Sequence, residues 1–169
     1  MLARKTFLSF IAIFLAATTV AYAQPSHAKS PHDTVTTKNI TVTYGRPYKK
    51  GRDIFGKLEP YGKVYRVGAD EATTITFKTD GTFGGKPVKA GTYTLFAIPN
   101  EKTWTIILNS QLGQWGAFKY DQYKDKDVLQ VDVPVMTQSA PLEQLTITVK
   151  GGDLTIAWDT VKVAVPVKF

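Results

Sequence analysis

From Val35 to the C terminus apolar residues recur at every second position, and no stretch sustains a helical period. Ile40, Val42 and Tyr44 alternate with Thr41 and Thr43, and Ile75 and Phe77 alternate with Thr74, Thr76 and Lys78. Trp104, Ile106 and Leu108 repeat the pattern, followed by Leu129, Val131 and Val133, and then by Leu145, Ile147 and Val149. Leu154, Ile156 and Trp158 form one further run, and Val161, Val163, Val165 and Val167 close the chain. The run Tyr93 to Ile98 is apolar at both parities, which predicts a central strand covered on both faces. Turn signals separate the runs: Asp80-Gly81, Gly84-Gly85, Ala90-Gly91, Pro99-Asn100 and Gly151-Gly152-Asp153, the last being the strongest hairpin signal.

About eight or nine short strands between turns predict an all-β fold, a single antiparallel β-sandwich or jelly-roll-like domain over residues 35–169. Two segments break the regularity. Residues 45–72 form a long irregular loop, and residues 109–127 a second one containing Trp115-Gly116. Irregular segments on a rigid β scaffold are where binding and catalytic residues concentrate.

Composition narrows the chemistry. A length of 169 residues suits one domain with a substantial core. The absence of Cys excludes disulfides, thiolate nucleophiles and Cys-ligated metals. Both histidines, His27 and His32, precede the predicted domain, so a Ser-His-Asp triad, a His-ligated metal and a His general base are not expected in it. No metal and no cofactor is predicted. Residues 1–23 have the form of a secretory signal: Arg4 and Lys5, an apolar run from Phe7 to Ala17, and Ala21-Tyr22-Ala23 as a small-x-small cleavage pattern. Residues 24–34 read as a flexible lead-in. The expected product is periplasmic or secreted and has no transmembrane segment.

The first irregular segment carries the distinctive chemistry. Arg46, Arg52 and Arg66 are the only arginines after the leader, with Asp53, Glu59, Asp70 and Glu71 interleaved and Tyr61 and Tyr65 beside them. Guanidinium forks match carboxylates and polar planar groups, and aromatic rings offer stacking faces. Two readings follow: the arginines clip the loop to the sandwich, or they form a site for a polar or anionic ligand such as a glycan, or for an envelope protein. The predicted site comprises Arg46, Arg52, Arg66, Asp70, Glu71, Tyr61, Tyr65 and Trp115. Trp104 and Trp158 fall in strand register and are assigned to the core.

An alternative is a glycan hydrolase using Asp53 and Glu71 as a carboxylate pair, although nearby arginines depress carboxylate pKa values, which disfavours a general acid. A third reading is a purely structural envelope protein. Other chemistries lack support. Ser110 and Ser139 sit in no nucleophile motif, and no helix follows Gly81-Thr82-Phe83-Gly84-Gly85. The carboxylates of Asp121, Asp125 and Asp127 compete with Lys124 and Lys126 and lack calcium-loop spacing. The formal charge of +7 is spread among acids rather than concentrated in a stripe, so no nucleic-acid partner is expected.

Ordered motifs run through nearly the whole domain. They are Tyr44-Gly45-Arg46-Pro47, Lys50-Gly51-Arg52-Asp53-Ile54-Phe55-Gly56, Pro60-Tyr61-Gly62-Lys63-Val64-Tyr65-Arg66 and Gly68-Ala69-Asp70-Glu71-Ala72-Thr73. Ala90-Gly91-Thr92-Tyr93, Trp104-Thr105-Ile106-Ile107-Leu108-Asn109 and Trp115-Gly116 follow. In these the chain resembles the bacterial secreted family known as domain of unknown function 2911. The family pattern more often has Trp, Thr and Asn where this chain has Tyr65, Val67 and Asp70. The resemblance implies an exported domain of a Gram-negative bacterium and no agreed activity.

Overall fold

The structure, a computed structural model, describes residues 30–169; the leader and His27 lie outside the described residues. The strands are β1 (His32–Thr36), β2 (Ile40–Gly45), β3 (Thr74–Phe77), β4 (Gly81–Phe83), β5 (Lys86–Val88), β6 (Gly91–Ile98), β7 (Thr103–Asn109), β8 (Asp127–Pro134), β9 (Met136–Lys150) and β10 (Asp153–Lys168). They pair antiparallel in two sheets: a six-stranded sheet in the order β1-β2-β3-β6-β7-β8 and a four-stranded sheet in the order β5-β4-β10-β9. Among the described residues the only helical pieces are single 3₁₀ turns at Tyr120–Gln122 and Lys124–Lys126. No helix among them is long and apolar enough to cross a membrane. The all-β, sandwich-like architecture expected from the alternation is the one found.

The alternation explains the core. Ile40, Val42, Ile75, Phe77, Leu95, Trp104, Ile106, Leu108, Val131 and Val133 of the larger sheet pack with Leu145, Ile147, Leu154, Ile156, Trp158, Val163 and Val165 of the smaller one. Trp104 and Trp158 are 1% and 2% exposed, as their register predicts. The strand read as covered on both faces, β6, gives Leu95 and Ala97 to this core and Phe96 to a second, smaller cluster with Ala72, Ile107 and Tyr120. That second cluster lies where the 61–72 and 110–123 segments cover the outer face of β6 and β7.

The two final apolar runs are one strand. Leu154, Ile156 and Trp158 are buried at even positions, whereas Val163, Val165 and Val167 are buried at odd ones. A regular strand would put one set in water. The register shifts on both sides of Asp159, which takes the left-handed φ of 53°, and this irregularity turns the later run back to the core. Lys49 Nζ lies 2.6 Å from Asp159 Oδ1, and Gln138 Nε2 donates to the Asp159 carbonyl at 2.7 Å.

Past the end of β2 the chain crosses to the other sheet. Leu145 N donates to the Pro47 carbonyl at 3.1 Å, Lys49 N to the Glu143 carbonyl at 2.6 Å, and Tyr48 forms a bridge with Gln144. Tyr44 Oη accepts from Ile147 N at 3.1 Å. Residues 44–50 thus satisfy a stretch of the outer edge of β9 and join the sheets on one side. Gly45 makes the crossing fit, because a Cβ there would lie 2.1 Å from the Ala69 carbonyl oxygen.

One expectation is corrected. β1 begins at His32, inside the stretch read as a lead-in, and pairs with Gly45, Tyr44 and Thr43 of β2. An imidazole therefore does belong to the folded part. The five residues of β1 hold a single apolar side chain, Val35, too few for a strand to be recognised.

If Asp159 sets the phase of β10, Asp159→Val is expected to destabilise the fold by about 1–3 kcal/mol, because a β-branched residue resists positive φ and the Lys49 partner is lost. Asp159→Gly keeps the backbone geometry and is expected to cost less. Chemical denaturation of the two variants measures the difference.

Candidate functional site

The three arginines do not converge. Arg46 Nε donates to the Leu145 carbonyl at 3.0 Å and Nη2 to Thr146 Oγ1 at 3.1 Å, while Nη1 lies 3.9 Å from Asp33 Oδ2. It belongs to the crossing onto β9. Arg52 curls back on its own loop, with Nε to the Lys49 carbonyl at 2.9 Å and Nη2 to the Tyr48 carbonyl at 2.5 Å. For these two the clip reading holds. Arg66 lines a cavity.

Arg66 is held by the second irregular segment. Its Nη1 donates to the Asp70 carbonyl at 2.9 Å, and the same carbonyl accepts from Gly116 N at 3.1 Å. The guanidinium carbon sits 5.8 Å from the centroid of the Phe118 ring, within cation–π range. Gly116, at φ 66°, is needed here: a Cβ would lie 2.8 Å from Phe118 Cε2 and 3.0 Å from Arg66 Nη1. Glu71 pairs with Trp115 in an isolated antiparallel bridge, and Ala72 N donates to the Gln114 carbonyl at 3.0 Å. Residues 71–72 and 114–115 thereby run side by side, with Glu71 and Trp115 turned outward and Ala72 and Gln114 buried.

Two aromatic rings stand out from the outward face. Trp115 is 52% exposed and Phe118 80% exposed. Phe118 borders two cavities. One, of about 260 Å³, is lined by Gln111, Leu112, Gln114, Trp115, Lys119 and Tyr123 among others. The other, of about 190 Å³, is lined by Glu59, Val64, Tyr65, Arg66, Ala117 and Phe118. Below the face the 109–127 segment is anchored by Asp127, which accepts from Asn109 Nδ2 at 2.7 Å, Gln130 Nε2 at 3.0 Å and Tyr120 Oη at 2.5 Å. Burial pushes the Tyr120 phenol up, with the bond to Asp127 adding to it.

Glu59 and Phe118 were not among the residues predicted from sequence. Glu59 lies in a closed turn in which its N–H donates to the Ile54 carbonyl and its own carbonyl accepts from Gly56 N, both at 2.9 Å. The turn fixes a partly buried carboxyl beside the cavity. Desolvation lifts its pKa from 4.5 to about 7, against the opposing pull of Arg66 and Arg52. The only sequence signal was an acid interleaved among the arginines. Phe118 was hidden because nothing in a single sequence distinguishes an exposed Phe from one packed beneath its loop.

The remaining predicted residues are dispersed. Tyr65 is not a surface contact: it is 2% exposed, exchanges backbone hydrogen bonds with Ala97 at 2.7 and 2.9 Å, and joins the sandwich core near Phe55. Its pairing with inward-facing Ala97 sets that direction, since residues directly opposite on paired strands share a face. Burial raises its phenol well above the usual value. Asp70 contributes through its carbonyl; its backbone takes φ 63° and its Oδ2 is buried without a partner. Tyr61, 40% exposed, lines a different, open groove with Asn100, Lys102, Thr105 and Asp132. Glu71 Oε2 lies 3.1 Å from His32 Nε2, and Asp53 sits exposed at the start of the turn in which its carbonyl accepts from Leu58 N. Among the described residues no group of three His, Asp or Glu side chains is placed to hold a metal ion.

The raised Glu59 pKa has a consequence for stability. Between pH 4.5 and 7 the unfolded chain releases this proton while the folded chain retains it, so stability falls as pH rises through that window. The loss is on the order of 2 kcal/mol once screening at the exposed edge is allowed for. Glu59→Gln is therefore expected to raise the melting temperature at pH 8 and to leave it nearly unchanged at pH 4, as calorimetry at the two pH values would show.

The sequence model of the family described as "Protein of unknown function (DUF2911)" matches residues 18–167. No curated protein and no solved structure matches the chain. The match takes in every strand of the sandwich and both segments that build the aromatic face, and the chain belongs to the DUF2911 family.

Proposed function

We propose that this chain is an exported cell-envelope domain that binds a glycan, or a similar polar ligand with ring faces, without catalysis. The reading is carried by one observation: Trp115 and Phe118 stand exposed at two adjoining cavities whose other walls include a guanidinium, a carboxyl and side-chain amides. Polyhydroxyl rings present apolar C–H faces and hydroxyl edges, so they need aromatic faces together with planar hydrogen-bonding groups. Each cavity alone is small for a ligand site, which typically holds roughly 300–1,000 Å³, but the two share Phe118 as a wall. An elongated ligand lying across Phe118 would use both.

Export is supported by the leader pattern at residues 1–23. Non-catalytic binding is favoured over hydrolysis by Asp53 and Glu71. Each has different surroundings, Asp53 on its own exposed turn and Glu71 facing His32. The ligand-binding residues of this reading are Trp115, Phe118, Arg66 and Glu59, while Arg46 and Arg52 support the loop.

A screen against peptidoglycan fragments and other envelope glycans tests the reading. Trp115→Ala and Phe118→Ala are each expected to weaken binding about tenfold or more, the effect of losing a stacking ring at an exposed site. Arg66→Ala is expected to weaken binding, and Arg46→Ala, at the crossing onto β9, to leave it unchanged. Gly116→Ala is expected to act like Phe118→Ala by displacing the ring. A screen without hits, or hits indifferent to Trp115→Ala, overturns the reading.

A further inference from the structure

The smaller cavity has a chemical polarity of its own. On one wall is the Glu59 carboxyl, which makes no side-chain hydrogen bond or ion pair among the described residues. On another is Arg66, whose Nη1 is committed to the Asp70 carbonyl while Nε and Nη2 make no hydrogen bond. Although both groups line one small cavity, they do not approach within the 4.0 Å of an ion pair. The acceptor and the donors stand apart, with Val64, Ala117 and the Phe118 ring as apolar walls.

We propose that this cavity is a subsite for a secondary amide, the acetamido group of an N-acetylated amino sugar, with its N–H donated to Glu59 and its carbonyl accepting from Arg66. The proposal rests on the glycan-binding reading above and names the feature of the glycan that is read. An amide supplies a donor and an acceptor on opposite sides of one plane, which matches two unspent groups that do not touch each other. Its planar face suits the Phe118 ring, and its methyl suits Val64 and Ala117. A sugar hydroxyl in the same place satisfies the polar groups but leaves the apolar walls without a partner.

Binding by this geometry is linked to protons, because the Glu59 carboxylate accepts the amide N–H in a charge-assisted bond, stronger than the one the carbonyl oxygen of the neutral acid makes. The charged and titratable groups acting on Glu59 are Arg66 and Arg52, both cationic throughout, and Tyr65, whose buried phenol stays neutral. With Glu59 titrating near 7, the fraction of the free protein that carries the carboxylate rises about tenfold between pH 6 and pH 8.

Titration calorimetry of the full mature chain with chitotriose and with cellotriose tests the proposal; the trimers differ in carrying acetamido groups or hydroxyls at the same ring position. Chitotriose is expected to bind at least about tenfold more tightly than cellotriose at pH 8, and to lose about tenfold in affinity at pH 6. Glu59→Gln keeps a neutral acceptor oxygen, as the protonated acid does, and is expected to bind chitotriose at pH 8 about as weakly as the natural chain does at pH 6 and with no pH dependence, whereas Glu59→Ala is expected to lose the preference for chitotriose. Equal binding of the two trimers, or the same pH dependence in Glu59→Gln as in the natural chain, overturns the amide subsite while leaving glycan binding at Trp115 in place. Failure of both trimers overturns the subsite, and the wider glycan screen then decides the parent reading separately.

Discussion

The structure depends on the hydrogen bonds by which residues 44–50 leave the six-stranded sheet and run along β9 of the four-stranded one. Without them the sheets would be joined on this side only by side-chain packing. The bonds from Leu145 N to the Pro47 carbonyl and from Lys49 N to the Glu143 carbonyl satisfy an otherwise bare edge. Arg46 reinforces the same crossing from its side chain, and Lys49 ties it to the irregularity in β10. One short segment thereby closes the sandwich and fixes the phase of its longest strand. It also sets the starting point from which residues 51–72 travel to the outer face of β6.

That constraint explains why the arginines divide as they do. Arg46 and Arg52 lie on or next to the crossing, where backbone carbonyls of residues 48, 49 and 145 are within reach and take up their donors. Arg66 lies beyond it, on a segment hydrogen-bonded to Ala97 through Tyr65, and it faces the side opposite to Tyr65. Three arginines of identical chemistry close together in sequence are thus sent to three environments by backbone pairing, and of the three only Arg66 leaves both Nε and Nη2 without a hydrogen bond.

The period-two pattern made the sandwich legible because most strands bury one face, and the Gly- and Pro-containing turns at residues 84–85, 99–100 and 151–152 fall between consecutive strands, with Asp80-Gly81 at the start of β4. Trp104 and Trp158 were correctly assigned to the core on parity alone. What parity did not reveal was the direction of residues outside continuous alternation. Tyr65 went to the core through a single bridge to Ala97, a pairing between residues 32 positions apart that no local pattern announces. His32 became part of the fold because it faces Gly45 across β1 and β2, whereas its neighbours Pro31 and Asp33 give no strand signal. Trp115 was recognisable as an exposed ring from its glycine-flanked position, but Phe118 and Glu59 were not, since their roles come from the segment opposite.

Unspent polar atoms and strain gather where the two irregular segments meet. Val67 and Asp70 take left-handed φ values of 56° and 63°, and Asp70 Oδ2 and Gln114 Oε1 are buried without partners. A sandwich held by so many paired strands can tolerate several such costs, and others are borne elsewhere, in the backbone at Lys50 and Asp159 and in the side chains at Tyr65 Oη and Trp104 Nε1. Val67 and Asp70 bracket the turn that aims the Asp70 carbonyl at both Arg66 and Gly116, so the strained backbone orients the guanidinium under Phe118. Asp at position 70 fits the same constraint, because Asn and Asp both accept left-handed φ more readily than other side chains. The role of this position is carried by its backbone, and exchange between the two side chains preserves it.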